Sequence, residues 1–407
     1  MKQTVKGKGA SGPTLFLTLL VAAGTACTAP TEPTAPRISP EILATGTVKF
    51  YSRAVTVDYT RVPNTDQRNF PVLVSGTYNG TTNDGLDLRS AAFGGRVANA
   101  NGYDVGFYTN SNCSTGKMKW ETEQYNGQTG QVAYWVLVPT VSHTTNTVFY
   151  LCYGNVGIKN NQAQPSSVWD SNYLTVWHLA DKGGLNLSNS ADTKYALTNS
   201  GPVASAAGKI GGGTNKFVDS TYFLTTPGVS IGANGAVTVS MWKIILRADD
   251  FIPCDDDPCP GPDGNHITFS LGAFHATSTS MTLWAPYFGT AFWFYGINGP
   301  SVDFSSYYDR WVYITCVYDP AANRLKALYL DGNLAASTDA ETDGVTTSGT
   351  SKGFRLGQSY DGHGQDPSQF DEVRISKIAR SADWIKTEFN NQNDPASFYA
   401  LGVEVGH

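Results

Sequence analysis

Charge, sulfur and histidine are all scarce in this sequence, and each scarcity closes off a group of functions. Only 15% of the 407 residues are charged, with 28 Lys and Arg against 34 Asp and Glu and a net charge of −6. No basic block interrupts that balance, so the concentrated cationic surface that displaces counterions from a nucleic acid is missing. The six histidines (His143, His178, His266, His275, His363 and His407) form no His-x-x-x-His pair and no Cys/His spacing of a zinc site. A Gly-x-Ser-x-Gly elbow, a phosphate loop and a dinucleotide glycine pattern are also lacking in any suitable strand-to-helix context. Neither a solenoid-period repeat nor a coiled-coil heptad occurs.

Aromatics and glycine, by contrast, are plentiful. Apolar residues make up 41% and aromatics 12%, with 42 Gly and 20 Pro. Such a chain buries a full core, and its length suits two or three domains. The first segment reads as an address: Lys2, Lys6 and Lys8 precede the apolar run Leu15 to Ala23, too short to span a bilayer. Residues 1–26 are therefore expected to be a signal peptide. Gly24-Thr25-Ala26-Cys27 resembles a bacterial lipobox, with Gly where Leu is usual, so Cys27 is a candidate for acylation and ordinary secretion is the alternative. Cleavage removes three lysines and no acid, which leaves a more acidic mature chain that anionic membranes repel. Membrane attachment is thus expected only through a lipid anchor. Residues 27–47, with Pro30, Pro33, Pro36 and Pro40, read as an extended tether.

From Val55 onward, β-branched and aromatic runs alternate with Gly, Asn, Asp and Pro, the pattern of a mainly antiparallel all-β protein. Asp331-Gly332 between Arg324–Leu330 and Asn333–Ala336 predicts a hairpin with a type I′ turn. Ser381 to Gln392, with Ser381 as N-cap and Trp384, Ile385 and Phe389 at helical spacing, predicts one short helix packed on a sandwich. A polar stretch with a proline at 158–168 reads as a joint between domains at 48–157 and 169–407.

Of the cysteines, Cys113 and Cys152 lie at strand edges of the first domain, and Cys254 and Cys259 bracket a tight loop. Both pairs are expected to be disulfides, and Cys316 a buried small hydrophobe. Several residues are candidates for chemistry. Glu121 and Glu123 share one strand face at a Cα separation of about 7 Å, which suits paired glycosidase carboxylates; a solvated or locally paired strand face is the stronger reading. Asp371 and Glu372, as neighbours on a strand, are expected on opposite faces. Asp249, Asp250, Asp255, Asp256, Asp257 and Asp263 crowd one loop, and Asp361 and Asp366 flank another, either of which could suit Ca²⁺ or could simply be solvated. Trp284, Tyr287, Trp293 and Tyr295 gather aromatics that either stack sugar rings or fill the core. His178 is expected to be structural.

The stretches VTVDYTRVPNTDQRNFPVLVSGTYN (Val55–Asn79), NGYDVGFYT (Asn101–Thr109), KWETEQYN (Lys119–Asn126), GQVAYWVLVP (Gly130–Pro139) and TVFYLCYGN (Thr147–Asn155) resemble the bacterial DUF2341 family. That resemblance implies no activity. Val176-Trp177-His178-Leu179, Gly208–Phe217, Val237–Trp242, YLDGNL (Tyr329–Leu334) and FDEVR (Phe370–Arg374) resemble concanavalin A-like, laminin G-type jelly rolls. The implied fold is two β-sandwich domains, the second a jelly roll with a short C-terminal helix. The expected function is that of an exported, non-catalytic protein, secreted or lipid-anchored at the bacterial surface, that binds a glycan or a surface protein. A structural envelope component and a polysaccharide-cleaving enzyme are the alternatives. The ligand, calcium binding and oligomeric state stay open.

Overall fold

The computed structural model describes residues 49–80, 86–179, 184–217, 221–231, 235–246, 267–272, 280–284, 290–294, 299–323, 325–338, 353–358 and 366–407, the side chains of 280, 284 and 290–294 excepted. The fold is all-β with a short C-terminal helix. Two sheets make the first sandwich: one of five strands, and one of three in which Val132–Val141 runs between Gln67–Gly76 and Lys119–Tyr125. Val132 to Val136 is a continuous apolar run, and every residue of it is buried. A strand buried along consecutive residues must be covered on both faces. Tyr134 meets Phe107 of the five-stranded sheet on one side, and Trp135 meets His178 of the second sandwich on the other. The three-stranded sheet is therefore an inner layer.

The second sandwich packs a seven-stranded sheet on a six-stranded one. Its core takes alternate residues of each strand, such as Val237, Val239 and Met241 on one sheet and Phe269, Leu271, Met281 and Leu283 on the other. The hairpin forms as expected: Asp331 and Gly332 both take positive φ (50° and 71°) between Leu325–Leu330 and Asn333–Thr338. Gly332 is required twice over, because a Cβ there would also stand 2.8 Å from Phe389 Cβ. The helix Ala382–Asn393 is capped by the Ser381 hydroxyl, which accepts from the Trp384 amide. It inserts between the sandwiches, where Asn391 both donates to and accepts from the backbone of Leu73 (3.0 and 2.6 Å).

After the helix the chain does not stay with the second sandwich. Tyr399–Leu401 and Val405–Gly406 pair with Tyr51–Val57 in the five-stranded sheet, across the division expected at residues 158–168. Residues 48–407 accordingly make one compact unit. The Cys113–Cys152 disulfide is present, and Cys316 is buried and free. Cys27, Cys254 and Cys259 lie outside the described residues, as do the expected signal peptide and the tether. Among the described residues no helix is long and apolar enough to cross a membrane.

Candidate functional site

Where the inner sheet meets the six-stranded sheet, a set of charged side chains is sealed from solvent. Glu121 and Glu123 come from Lys119–Tyr125, His178 follows the edge strand Tyr173–Trp177, and Asp371, Glu372 and Arg374 sit on Gln369–Ser376. Glu388 comes from the helix. All seven are 5% exposed or less. The reading of Glu121 and Glu123 as a solvated face is thereby corrected: the strand looks half-polar because its polar side faces another part of the chain, not water.

Two β-bulges shape this cluster. One lies between Thr122 and Gln124, which pair with the consecutive residues Tyr134 and Ala133, so Glu123 is an extra residue in the ladder. The other lies on Gln369–Ser376, where Asp371 pairs with Trp242 and Arg374 with Ser240, leaving Glu372 and Val373 opposite a single residue. Glu372 takes a φ of 53° to make the turn. Because Phe370 and Val373 both enter the core, Asp371 and Glu372 leave it together. They do not point to opposite faces, as simple alternation suggested, since a bulge shifts the period-two pattern by one residue.

Glu121 accepts from Trp169 Nε1 (2.9 Å), His178 Nε2 (3.2 Å) and the Ser190 hydroxyl (2.6 Å). The other imidazole nitrogen, His178 Nδ1, donates to Glu372 Oε1 at 2.6 Å and stands 3.6 Å from Glu123 Oε2. Glu123 Oε2 also accepts from Trp135 Nε1 at 2.7 Å. Arg374 bridges Glu372 and Glu388 at 2.5 Å each, its guanidinium stacked over Trp135 and Trp169. Two oxygens are left over: Glu123 Oε1 and Asp371 Oδ1 are buried without a hydrogen-bonding partner.

The electrostatics follow from this geometry. Burial opposes charge on Glu121, but His178 and the three donors overcome it and hold the carboxyl down at about 2. Glu123 is pushed the other way, up to about 8, first by burial and then by the Glu372 charge. Asp371 also rises well above the usual carboxylate value, through burial and the charges of Glu372 and Glu123. For His178 burial works against protonation, yet Glu372, Glu121 and Glu123 raise it well above the ordinary imidazole value. As a cleavage pair, Glu121 and Glu123 are poorly placed. A glycosidase needs its two carboxyls open to opposite sides of a sugar bond, whereas these are 4% and 1% exposed and committed to indoles and an imidazole.

The other sequence candidates divide in two. Asp366 is buried, and its carboxylate accepts from Lys243, Thr268 and Ser368, so it serves an internal ammonium instead of facing an ion. Asp255, Asp256, Asp257, Asp263 and Asp361 lie outside the described residues, as do Tyr287 and Tyr295. Of Trp284 and Trp293 the backbone alone is placed, in Ser280–Trp284 and Thr290–Phe294. Trp135, Trp169, Ser190 and Glu388 escaped the sequence reading. Indoles in apolar runs signal core, and nothing local marks them as donors to an acid many residues away.

On the seven-stranded sheet, the face turned from the core carries a continuous row set by strand register. Thr198 stands opposite Thr225, Thr225 opposite Arg355, Arg355 opposite Ser270, Ser270 opposite Thr282, and Thr282 opposite position 293. Arg355 stacks over Phe223 at 4.0 Å and donates to Gln358.

A family model described as the concanavalin A-like lectin/glucanases superfamily matches residues 218–386. Those residues carry a concanavalin A-like domain. Among solved structures, one similar chain is domain 4 of AbnA, an extracellular arabinanase of Geobacillus stearothermophilus, in complex with arabinotriose. It has 18% identity and a TM-score of 0.38, over 54% of this chain and 98% of that one. The binding domain of Paraclostridial Mosquitocidal Protein 1 has 14% identity and a TM-score of 0.41, over 56% and 52%. The ligand-binding domain of botulinum neurotoxin serotype D, in complex with N-acetylneuraminic acid, has 13% and 0.39, over 56% and 53%. This chain spans about half the length of the two toxin domains. No curated protein matches it.

Proposed function

We propose that the protein is an exported, non-catalytic binding protein whose concanavalin A-like domain recognises a carbohydrate or another cell-surface component. The row on the seven-stranded sheet carries this reading. It sets Thr198, Thr225 and Arg355, exposed or half-buried, in line with the buried Ser270 and Thr282 and ends at the position of Trp293. Hydroxyls and a guanidinium supply the donors and acceptors that match sugar hydroxyls, and an indole supplies the flat apolar face a pyranose stacks on. The sealed acids at the sandwich junction support the non-catalytic part of the reading. The first sandwich, which resembles the DUF2341 family, serves as the mount for the binding domain, and the sequence pattern of a leader followed by a proline-rich tether supports a location outside the cell.

The test is retention of residues 28–407 on immobilised polysaccharides and peptidoglycan, with calcium and again with a chelator. Retention that falls at least tenfold in Trp293→Ala and Arg355→Ala, with unchanged melting temperatures, supports the platform. A wild-type chain that no matrix retains under either condition overturns it.

A further inference from the structure

Within the junction, five carboxylates (Glu121, Glu123, Asp371, Glu372 and Glu388) face only two fully buried cations, His178 and Arg374. An interior does not tolerate uncompensated charge, and it resolves the excess with protons or with a bound ion. Three of these groups point one ligand atom each at a common centre: Glu123, His178 and Glu372 place a carboxylate oxygen, an imidazole nitrogen and a second carboxylate oxygen within 4.8 Å of one another. Independently of that convergence, Glu123 Oε1 and Asp371 Oδ1 are fully buried and without partners. Both carboxylates lie directly beneath the glycine loop 208–213. A Cβ at Gly211 would stand 2.6 Å from Glu123 Oε1, and one at Gly208 would stand 2.6 Å from Asp371 Oδ2.

The structure assigns this cluster as a binding site for one divalent transition-metal ion of the Zn²⁺ or Mn²⁺ type, with Glu123, His178 and Glu372 as ligands. Imidazole nitrogen combined with carboxylate oxygen selects that class of ion over Ca²⁺ or Mg²⁺, which take oxygen sets. The 3.6 Å between His178 Nδ1 and Glu123 Oε2 is already the spacing of two ligands on one ion. The shorter 2.6 Å contact of Nδ1 with Glu372 opens when the ion replaces the Nδ1 proton, which leaves to solvent. Supporting contacts fix the ligands: Trp135 Nε1 on Glu123, Arg374 on Glu372, and Glu121 on the far imidazole nitrogen. A cleft of about 210 Å³ lined by Gln124, Lys209, Gly211 and Gln392 lies against the glycine loop that covers the cluster. The donors belong to both sandwiches and no ligand position faces open solvent, so the ion's role is to join the sandwiches. This inference does not rest on the glycan reading.

The sequence spacing hid the site. Its single histidine has no His or Cys neighbour, and its acids come from strands nearly 250 residues apart, from Glu123 to Glu372.

To test it, residues 28–407 are stripped with a chelator, dialysed against Zn²⁺, Mn²⁺ or Co²⁺ alone, and analysed for metal content and melting temperature. The expected result is about one ion per chain, a higher melting temperature than the stripped protein, and visible d–d bands with Co²⁺. Glu123→Gln and His178→Gln should each weaken binding at least tenfold, whereas His143→Gln at an exposed histidine should not. Stripped wild-type protein that takes up none of the three ions, and melts identically with and without them, overturns the proposal; protons then balance the cluster. Ion uptake unchanged in both ligand variants overturns it as well.

Discussion

The two outer faces of the concanavalin A-like sandwich are built from the same period-two strands, yet they are furnished oppositely. On the six-stranded sheet the outward side chains are Trp242, Tyr313, Arg374, Asp371 and Glu372, every one buried under the helix or the first sandwich. On the seven-stranded sheet the outward row is Thr225, Arg355, Ser270 and Thr282, short hydroxyls and one guanidinium. Large aromatics with full-strength ion pairs belong where a chain must hold itself together. Of the row on the seven-stranded sheet, Thr225 and Arg355 are half-buried, while Ser270 and Thr282 are 1% and 3% exposed. The difference teaches that the sandwich spends its large aromatic and charged side chains on internal assembly at one face and carries small polar groups with a single guanidinium on the other.

The sharpest way to break this contrast is Arg374→Met. It leaves the Glu372 and Glu388 carboxylates buried without their cation, and such a loss costs about 3–5 kcal/mol; a urea melt reads it directly, and a shift under 1 kcal/mol would show that the junction carries little of the stability. Asn391→Ala comes next. It strands the amide and carbonyl of Leu73 between helix and inner sheet, for a cost of about 2 kcal/mol, measured the same way. Gly211→Ala is smaller: the residue holds a φ of 61°, and the left-handed conformation alone costs a non-glycine residue about 1–2 kcal/mol. Its new methyl also presses on Glu123 Oε1, so the loss should shrink when Glu123 is shortened to Asp. On the other face, Arg355→Ala should leave stability within about 0.5 kcal/mol while reducing retention on the polysaccharide that the wild type binds. If Arg355→Ala destabilised the fold as much as Arg374→Met, the division of labour between the faces would be lost.

How far the sequence revealed all this depended on the range of the interaction. The Asp331-Gly332 turn and the Ser381 cap were legible because each is decided within four residues, by a positive φ or by a hydroxyl and a nearby amide. The Cys113–Cys152 bridge was legible from position at strand edges. The bulges at Glu123 and Glu372 were not, because an extra residue in a ladder is set by the partner strand. Once the bulge at Glu372 is missed, alternation assigns Asp371 and Glu372 to opposite faces, and half of the charged cluster disappears from view. His178 was expected to be structural from its resemblance to a framework histidine of the jelly-roll family, but its two hydrogen-bonded carboxylates, Glu121 and Glu372, lie 57 and 194 residues away and left no local signature. Asp366 misled for a related reason: its acidic loop suggested an ion, while the ammonium it serves, Lys243, belongs to a strand 123 residues away in sequence.

The return of the last strands to the first has a consequence for synthesis. Arg53, on the opening strand, is held through its Nε by the carbonyl of Gly402, 349 residues later. At about 5–20 residues per second, the ribosome delivers that partner tens of seconds after Tyr51–Val57 has emerged. Until then one edge of the opening strand offers its amides and carbonyls to whatever comes near, which is how unpaired strands recruit wrong neighbours. The first sandwich of a nascent chain therefore waits on residues 399–406, and a premature stop upstream of Tyr399 releases it with that edge still open.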